Sequence, residues 1–166
     1  MNQKPLTVLV LCTGNSCRSI IGEALFNHLG AGRVRAFSAG SHPVGKVNEN
    51  ALATLARHGL PIEGYSSKSW DDLENERIDI VITVCDNAAG EVCPAYLGSV
   101  VRAHWGLPDP AHVSGSAEAI AAAFEETYDA MEKRIQMFLA LPLEDLSGQE
   151  LTEKLKQIGS RRGVKQ

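Results

Sequence analysis

Apolar positions follow two rhythms along this chain. Thr7–Leu11 (TVLVL) and Ile78–Val84 (IDIVITV) are short runs, apolar on both faces and rich in β-branched residues, and they read as buried strands of a parallel sheet. Val34–Ser38 and Val100–His104 are shorter runs expected to be strands of the same sheet. The stretches between them change to helical spacing. Ser19–Leu29 predicts a helix closed by Gly30, and Asn48–His58 predicts another, with Asn48 as N-cap and Gly59 just past its end. Ser116–Leu139 predicts a long helix in which Ile120, Phe124, Tyr128, Met131, Ile135 and Phe138 form a core stripe. Ser147 and Glu150 spell a capping box for a last helix reaching about Ile158. This alternating order predicts an α/β fold, a three-layer sandwich around a four-stranded parallel sheet.

In such sheets ligands bind beyond the carboxyl ends of the strands. There the first strand gives way to CTGNSCRS, residues 12–19. Cys12 stands at the strand tip, Arg18 follows after five small or polar residues, and Ser19 opens the next helix. A loop of this make-up can aim backbone N–H groups at one point in front of a helix N-terminus, which makes it an anion cradle. It lacks the GxxxxGK[ST] pattern of a nucleotide loop. Arg18 adds a planar fork suited to a tetrahedral oxyanion. The expectation is a cysteine nucleophile, its pKa lowered by that field, inside an oxyanion-binding loop.

Composition narrows the setting. The 166 residues carry 44% hydrophobic and 22% charged side chains, enough for one domain with a real core. A formal net charge of −4 gives no nucleic-acid surface, and Arg161, Arg162 and Lys165 read as a solvated tail. The opening MNQKPLTVLVLC does not read as a signal peptide, and no apolar stretch approaches the ~20 residues of a membrane span. The expected setting is the cytoplasm, the expected working unit a monomer, and the four cysteines are expected to rest as thiols. Their C-x4-C and C-x7-C spacings, without a His pair, do not fit zinc, and no metal is expected.

CTGNSCRS resembles the C-x5-R-S loop of low-molecular-weight protein tyrosine phosphatases and of the arsenate reductases that share their fold. VCDNAAGEVCP (Val84–Pro94) and HWGLPDP (His104–Pro110) resemble the reductase branch. The resemblance spans about residues 6–140. It implies Cys12 as nucleophile, Arg18 as oxyanion ligand and Asp109 as general acid, with Asn15 and Ser19 supporting the loop. Thr13, Gly14, Asn15, Ser16, Cys17, Arg18 and Ser19 would line the substrate, arsenate, with phosphate or sulfate as competitors. Asp109 lies between two prolines in a rigid loop, from which its carboxyl can face the Cys12 loop without hydrogen bonds to its own helix. Residues 1–141 would form the catalytic domain and 142–166 a C-terminal helical extension and tail of unassigned function.

Two further cysteines separate reductase from phosphatase. Phosphorus(V) is not reduced by thiols, so a phosphatase needs one cysteine and a water. Arsenic(V) bound to sulfur is reduced when a second thiol attacks that sulfur. Cys85 ends the third expected strand on the same sheet edge as Cys12 and is the natural second thiol. Were 85–93 helical, the Cα atoms of Cys85 and Cys93 would lie about 12 Å apart, at ~1.5 Å per residue. A disulfide needs roughly 4.4–6.8 Å, so the segment must loop out to join them. The expected relay runs from Cys12 to Cys85 to Cys93 and then to an external reductant, thioredoxin or glutathione with glutaredoxin. Cys17 is expected to pack behind the loop. Ser41–Asn50 and the residues after Pro110 lack the aromatics that hold a phosphotyrosine ring, which favours a small inorganic anion. Asn15, Glu23 and Ser38 match a potassium site found in some reductases of the family, but Lys68 stands at its acidic position, and its ammonium would take the cation's place. The alternatives to a reductase are a tyrosine phosphatase and a non-enzymatic oxyanion-binding or redox-sensing module.

Overall fold

The computed structural model describes residues 5–85, 90, 94–97 and 100–160. Four strands, β1 (Leu6–Leu11), β2 (Val34–Ala39), β3 (Ile80–Thr83) and β4 (Val101–His104), form one sheet in the order β2-β1-β3-β4, every pair parallel. The helices whose spans are described are α1 (Arg18–Leu29), α2 (Glu49–Arg57), α3 (Ala117–Leu139) and α4 (Gly148–Gly159). β1 is central because it is apolar on both faces: Val8, Leu9, Val10 and Leu11 are at most 1% exposed. Each such side chain contributes about 1.5–3 kcal/mol of burial.

Register fixes where chemistry can gather. Leu11 pairs with Ala39 and with Thr83, and Thr83 pairs with His104. The residues that follow, Cys12, Gly40, Val84–Cys85 and Trp105, therefore line one edge of the sheet.

The helices begin where their caps direct. Asn48 accepts from the N–H groups of Asn50 and Ala51, Ser116 from Ala119, and Ser147 and Glu150 complete a reciprocal capping box. Phe124, Tyr128, Met131, Ile135 and Phe138 are buried along α3 as its periodicity predicts, and Ile120 is half-buried beside them. α4 lies against β4. Leu151, Leu155 and Ile158 join the main apolar cluster, and Trp105 donates its indole N–H to the Leu155 carbonyl at 3.0 Å. The short 3-10 turns Trp70–Leu73, Ala95–Leu97, Pro110–His112 and Leu143–Asp145 carry no periodic signal that the sequence reading could use. No described helix is long and apolar enough to cross a membrane.

Candidate active site

Residues 12–17 curl from β1 into α1 because their neighbours hold the backbone from outside. The carbonyls of Thr13, Gly14 and Ser16 accept, each at 3.0 Å, from the N–H groups of His42, Val44 and Asn48 respectively. In a planar trans peptide the following N–H points the opposite way, so the Gly14 and Cys17 N–H groups face into the loop. Asn15 supplies the turn. It is fully buried with φ of 47°, the single non-glycine positive φ among the described residues. Its Nδ2 donates to Ser19 Oγ at 2.8 Å, and its Oδ1 accepts from the Lys68 N–H at 2.8 Å. Gly40 lets the loop pass: a Cβ there would lie 2.3 Å from the Thr13 carbonyl and 2.4 Å from that of Cys12.

Cys12 and Cys85 are both buried, and their thiols are hydrogen-bonded to each other. The Cys85 sulfur also accepts the Thr13 N–H at 3.4 Å and lies 3.7 Å from Thr13 Oγ1. This corrects the expectation of a lowered Cys12 pKa. The hydrogen bond to Cys85 pushes the thiol up, burial adds to it, and the Arg18 charge pulls down without prevailing. The sequence places Cys85 on the same sheet edge as Cys12, as found, but does not show that it keeps the proton on Cys12.

Asp109 faces this loop from the segment after β4. Its Oδ2 lies 3.4 Å from Arg18 NH2 and 3.4 Å from the exposed His112 Nε2, while its Oδ1 accepts from the Cys17 thiol at 3.6 Å. It also caps its own 3-10 turn, accepting from the Ala111 N–H at 2.9 Å, which corrects the expectation that it makes no local hydrogen bond. One carboxylate has acceptor positions enough for both tasks. Cys17 is buried as expected but is not idle packing. It touches Asp109, and burial together with that carboxylate pushes its pKa up to about 11. Arg18 donates NH1 to the Leu107 carbonyl at 2.9 Å, while its buried Nε–H has no hydrogen-bond partner. A buried guanidinium N–H left over at the mouth of an N–H cradle suits an anion.

Glu23 and Ser38 lie together, with Ser38 Oγ donating to Glu23 Oε1 at 2.6 Å. Burial raises the Glu23 pKa, against the Ser38 hydrogen bond and the Lys68 charge. The Lys68 ammonium donates to the Ser66 carbonyl at 3.0 Å, so it is turned to that backbone oxygen while its charge still reaches Glu23. Among the described residues no three His, Cys, Asp or Glu side chains gather as a metal site. Cys93 lies outside the described residues. The sequence reading missed two contributors, Leu107 through its carbonyl and Arg134. The second had a signal: Thr127, Met131, Arg134 and Phe138 share one face of the long helix.

Comparison with known proteins places this geometry in a lineage. The sequence profile of the low molecular weight phosphotyrosine protein phosphatases matches residues 7–157. An arsenate reductase of Halalkalibacterium halodurans is 37% identical over 138 residues, covering 83% of this chain and 96% of that protein. The structure of an arsenate reductase in the phosphate binding state superposes with a TM-score of 0.63 at 26% identity, over 79% of this chain and 97% of that one. The Corynebacterium glutamicum thioredoxin-dependent arsenate reductase does so with a TM-score of 0.60 at 29% identity, over 82% of this chain and 64% of that one.

Proposed function

The chain belongs to the low molecular weight phosphotyrosine protein phosphatase family, and we propose that within it the chain is an arsenate reductase that turns arsenate into arsenite by thiol chemistry. The observation that carries this reading is the Cys85 sulfur lying beside Cys12 at the loop, where it takes the Thr13 N–H. Phosphoester hydrolysis has no use for a second thiol there. Reduction of arsenic(V) requires one.

The steps follow from the contacts. Arsenate enters the cradle and takes Arg18 from Asp109, using the unpartnered Nε–H. Cys12 gives its proton to an arsenate oxygen, and its sulfur bonds arsenic. That proton, passed on by the Asp109 carboxylate once Arg18 has left it, completes the departing hydroxyl of hydrogen arsenate, which leaves as water. Cys85 then attacks the Cys12 sulfur. The S–S bond forms, the S–As bond breaks with its electron pair left on arsenic, and arsenite departs. Cys93 is the third thiol: it attacks Cys85, frees Cys12 and leaves a Cys85–Cys93 disulfide. A thioredoxin-type dithiol restores the pair, as the printed name of the Corynebacterium relative suggests. In this reading residues 1–141 carry the chemistry, and the extension from 142 serves the sheet edge it packs against.

The test is arsenite formation in an assay coupled to thioredoxin, thioredoxin reductase and NADPH. Wild type should turn over. Cys12→Ser and Cys85→Ser should each lose at least about a hundredfold, and Arg18→Ala should lose oxyanion affinity and rate together. Phosphoester hydrolysis that survives Cys85→Ser, with no arsenite made by wild type, would replace this reading with the phosphatase. Turnover supported by glutathione and glutaredoxin alone would move the reductant.

A further inference from the structure

The buried face of α3 carries one cation. Arg134 stands between Met131 and Phe138 on that stripe and is only 6% exposed. Its Nε–H has no hydrogen-bond partner. Burial lowers its pKa, and no carboxylate among the described residues pulls the other way. An unpaired guanidinium in a core is costly, and methionine or leucine would fill such a position at far less expense. What Arg134 does make is one bond: its NH1 donates to the Gly106 carbonyl at 3.1 Å.

That carbonyl sits at a junction. The Trp105 N–H donates to the Thr83 carbonyl at 2.7 Å, and the Leu107 N–H to the Val84 carbonyl at 3.0 Å. The Leu107 carbonyl accepts from Arg18, and Asp109 follows two residues on. A Cβ on Gly106 would lie 2.7 Å from His104 Nε2, so a side chain there would displace the imidazole. The segment is thus hung on the end of β3 and on Val84 just after it, with guanidinium groups holding the Gly106 and Leu107 carbonyls. One opens α1 just after the loop, the other lies on α3.

We propose that Arg134 is a positioning residue for Asp109: by holding the Gly106 carbonyl it sets the direction in which residues 107–109 leave β4, and so where the carboxyl stands over the catalytic loop. This rests on the reading of Asp109 as the acid of the reaction. Arg134 does not touch the substrate. Its effect falls on kcat, because anion binding belongs to the loop N–H groups and Arg18.

A double-mutant cycle tests it, with arsenite formation measured in Arg134→Met, Asp109→Asn and the pair, alongside thermal melting. Arg134→Met should lower kcat about tenfold or more while KM for arsenate stays within about threefold. In the Asp109→Asn background the same change should cost less than about twofold. Arg134→Lys, which keeps a donor for the carbonyl, should recover most of the rate. If the methionine variant does not fold, Lys and Gln carry the same cycle, their smaller kcat losses again disappearing beside Asp109→Asn. A folded Arg134→Met with wild-type kcat overturns the proposal. So does an equal loss in both backgrounds, which would mark Arg134 as structural while Asp109 keeps its role. Wild-type kcat in Asp109→Asn would instead reject Asp109 as the acid, and the positioning role with it.

Discussion

At the scale of single residues, charge and burial compete inside a few ångströms. Glu23 shows how to read the outcome. Its folded pKa lies above the ordinary glutamate value because burial outweighs the Ser38 hydrogen bond and the Lys68 charge. Sign matters here. Below the unfolded pKa both states hold the proton and Glu23 imposes no penalty. As pH rises from the unfolded toward the folded pKa, the folded state holds more protons than the unfolded chain, so stability is lost, and above the folded pKa the loss is complete. Glu23→Gln removes that dependence. Its melting temperature should gain on wild type as pH rises from about 4 to 8. Thermal melts at several pH values check this, and a difference that shrinks with rising pH would mean that Lys68 and Ser38 outweigh burial. The same competition explains what could be read beforehand. Cys12, Arg18 and Asp109 were legible because their residue types have a chemistry that a strand tip and a proline-bounded loop expose. The nearness of Cys85 to Cys12 was legible too, from the shared sheet edge, but its effect on the Cys12 proton was not, nor was the Cys17–Asp109 contact, which joins residues about 90 positions apart.

At the scale of elements, the anion loop is held by its surroundings as much as by its own sequence. Gly40, just past β2, meets the Thr13 and Cys12 carbonyls at distances that no side chain tolerates. Those atoms are backbone and cannot swing aside, so Gly40→Ala must push the catalytic loop. It should cost about 1–3 kcal/mol of stability, in the range for overpacking. Arsenate turnover should fall further than that loss explains, because a shift of the Cys12–Thr13 peptides moves the nucleophile. Urea unfolding and kinetics on the same sample separate the two, and a destabilised variant with unchanged kcat would show that the loop does not depend on this contact. Strands and long helices were legible from periodicity to within one or two residues: Asn48 caps α2, and Ser147 with Glu150 starts α4. The 3-10 turns were not, because three or four residues hold no period. Nor was the left-handed Asn15, whose backbone is forced by the bonds its side chain makes to Ser19 and Lys68.

At the scale of the whole molecule, parallel order brings to one edge the carboxyl ends of β1 and β3, hence Cys12 and Cys85, and leaves the third thiol on the connection that follows β3. This division of labour predicts different failures for different cysteines. Cys85→Ser should stop before reduction, with no arsenite released. Cys93→Ser should complete about one turnover, releasing one equivalent of arsenite and trapping a Cys12–Cys85 disulfide, since only the last transfer is missing. Wild type given arsenate without reductant should hold a Cys85–Cys93 disulfide with Cys12 reduced again. Disulfide mapping by mass spectrometry after a single arsenate pulse reads all three. A Cys85–Cys93 disulfide would close a loop directly beside Val84, the residue whose carbonyl holds Leu107. Oxidation should therefore loosen the Asp109 segment as well, and amide exchange at Leu107 should quicken in the oxidised protein. That response would make the acid loop slack until the reductant has acted, so that a second arsenate meets a complete site only after the first cycle has closed. Unchanged exchange at Leu107 beside a mapped Cys85–Cys93 disulfide would mean that the relay turns without disturbing the acid. Cys93 found as a free thiol, with glutathione on Cys12, would reject the three-cysteine relay altogether.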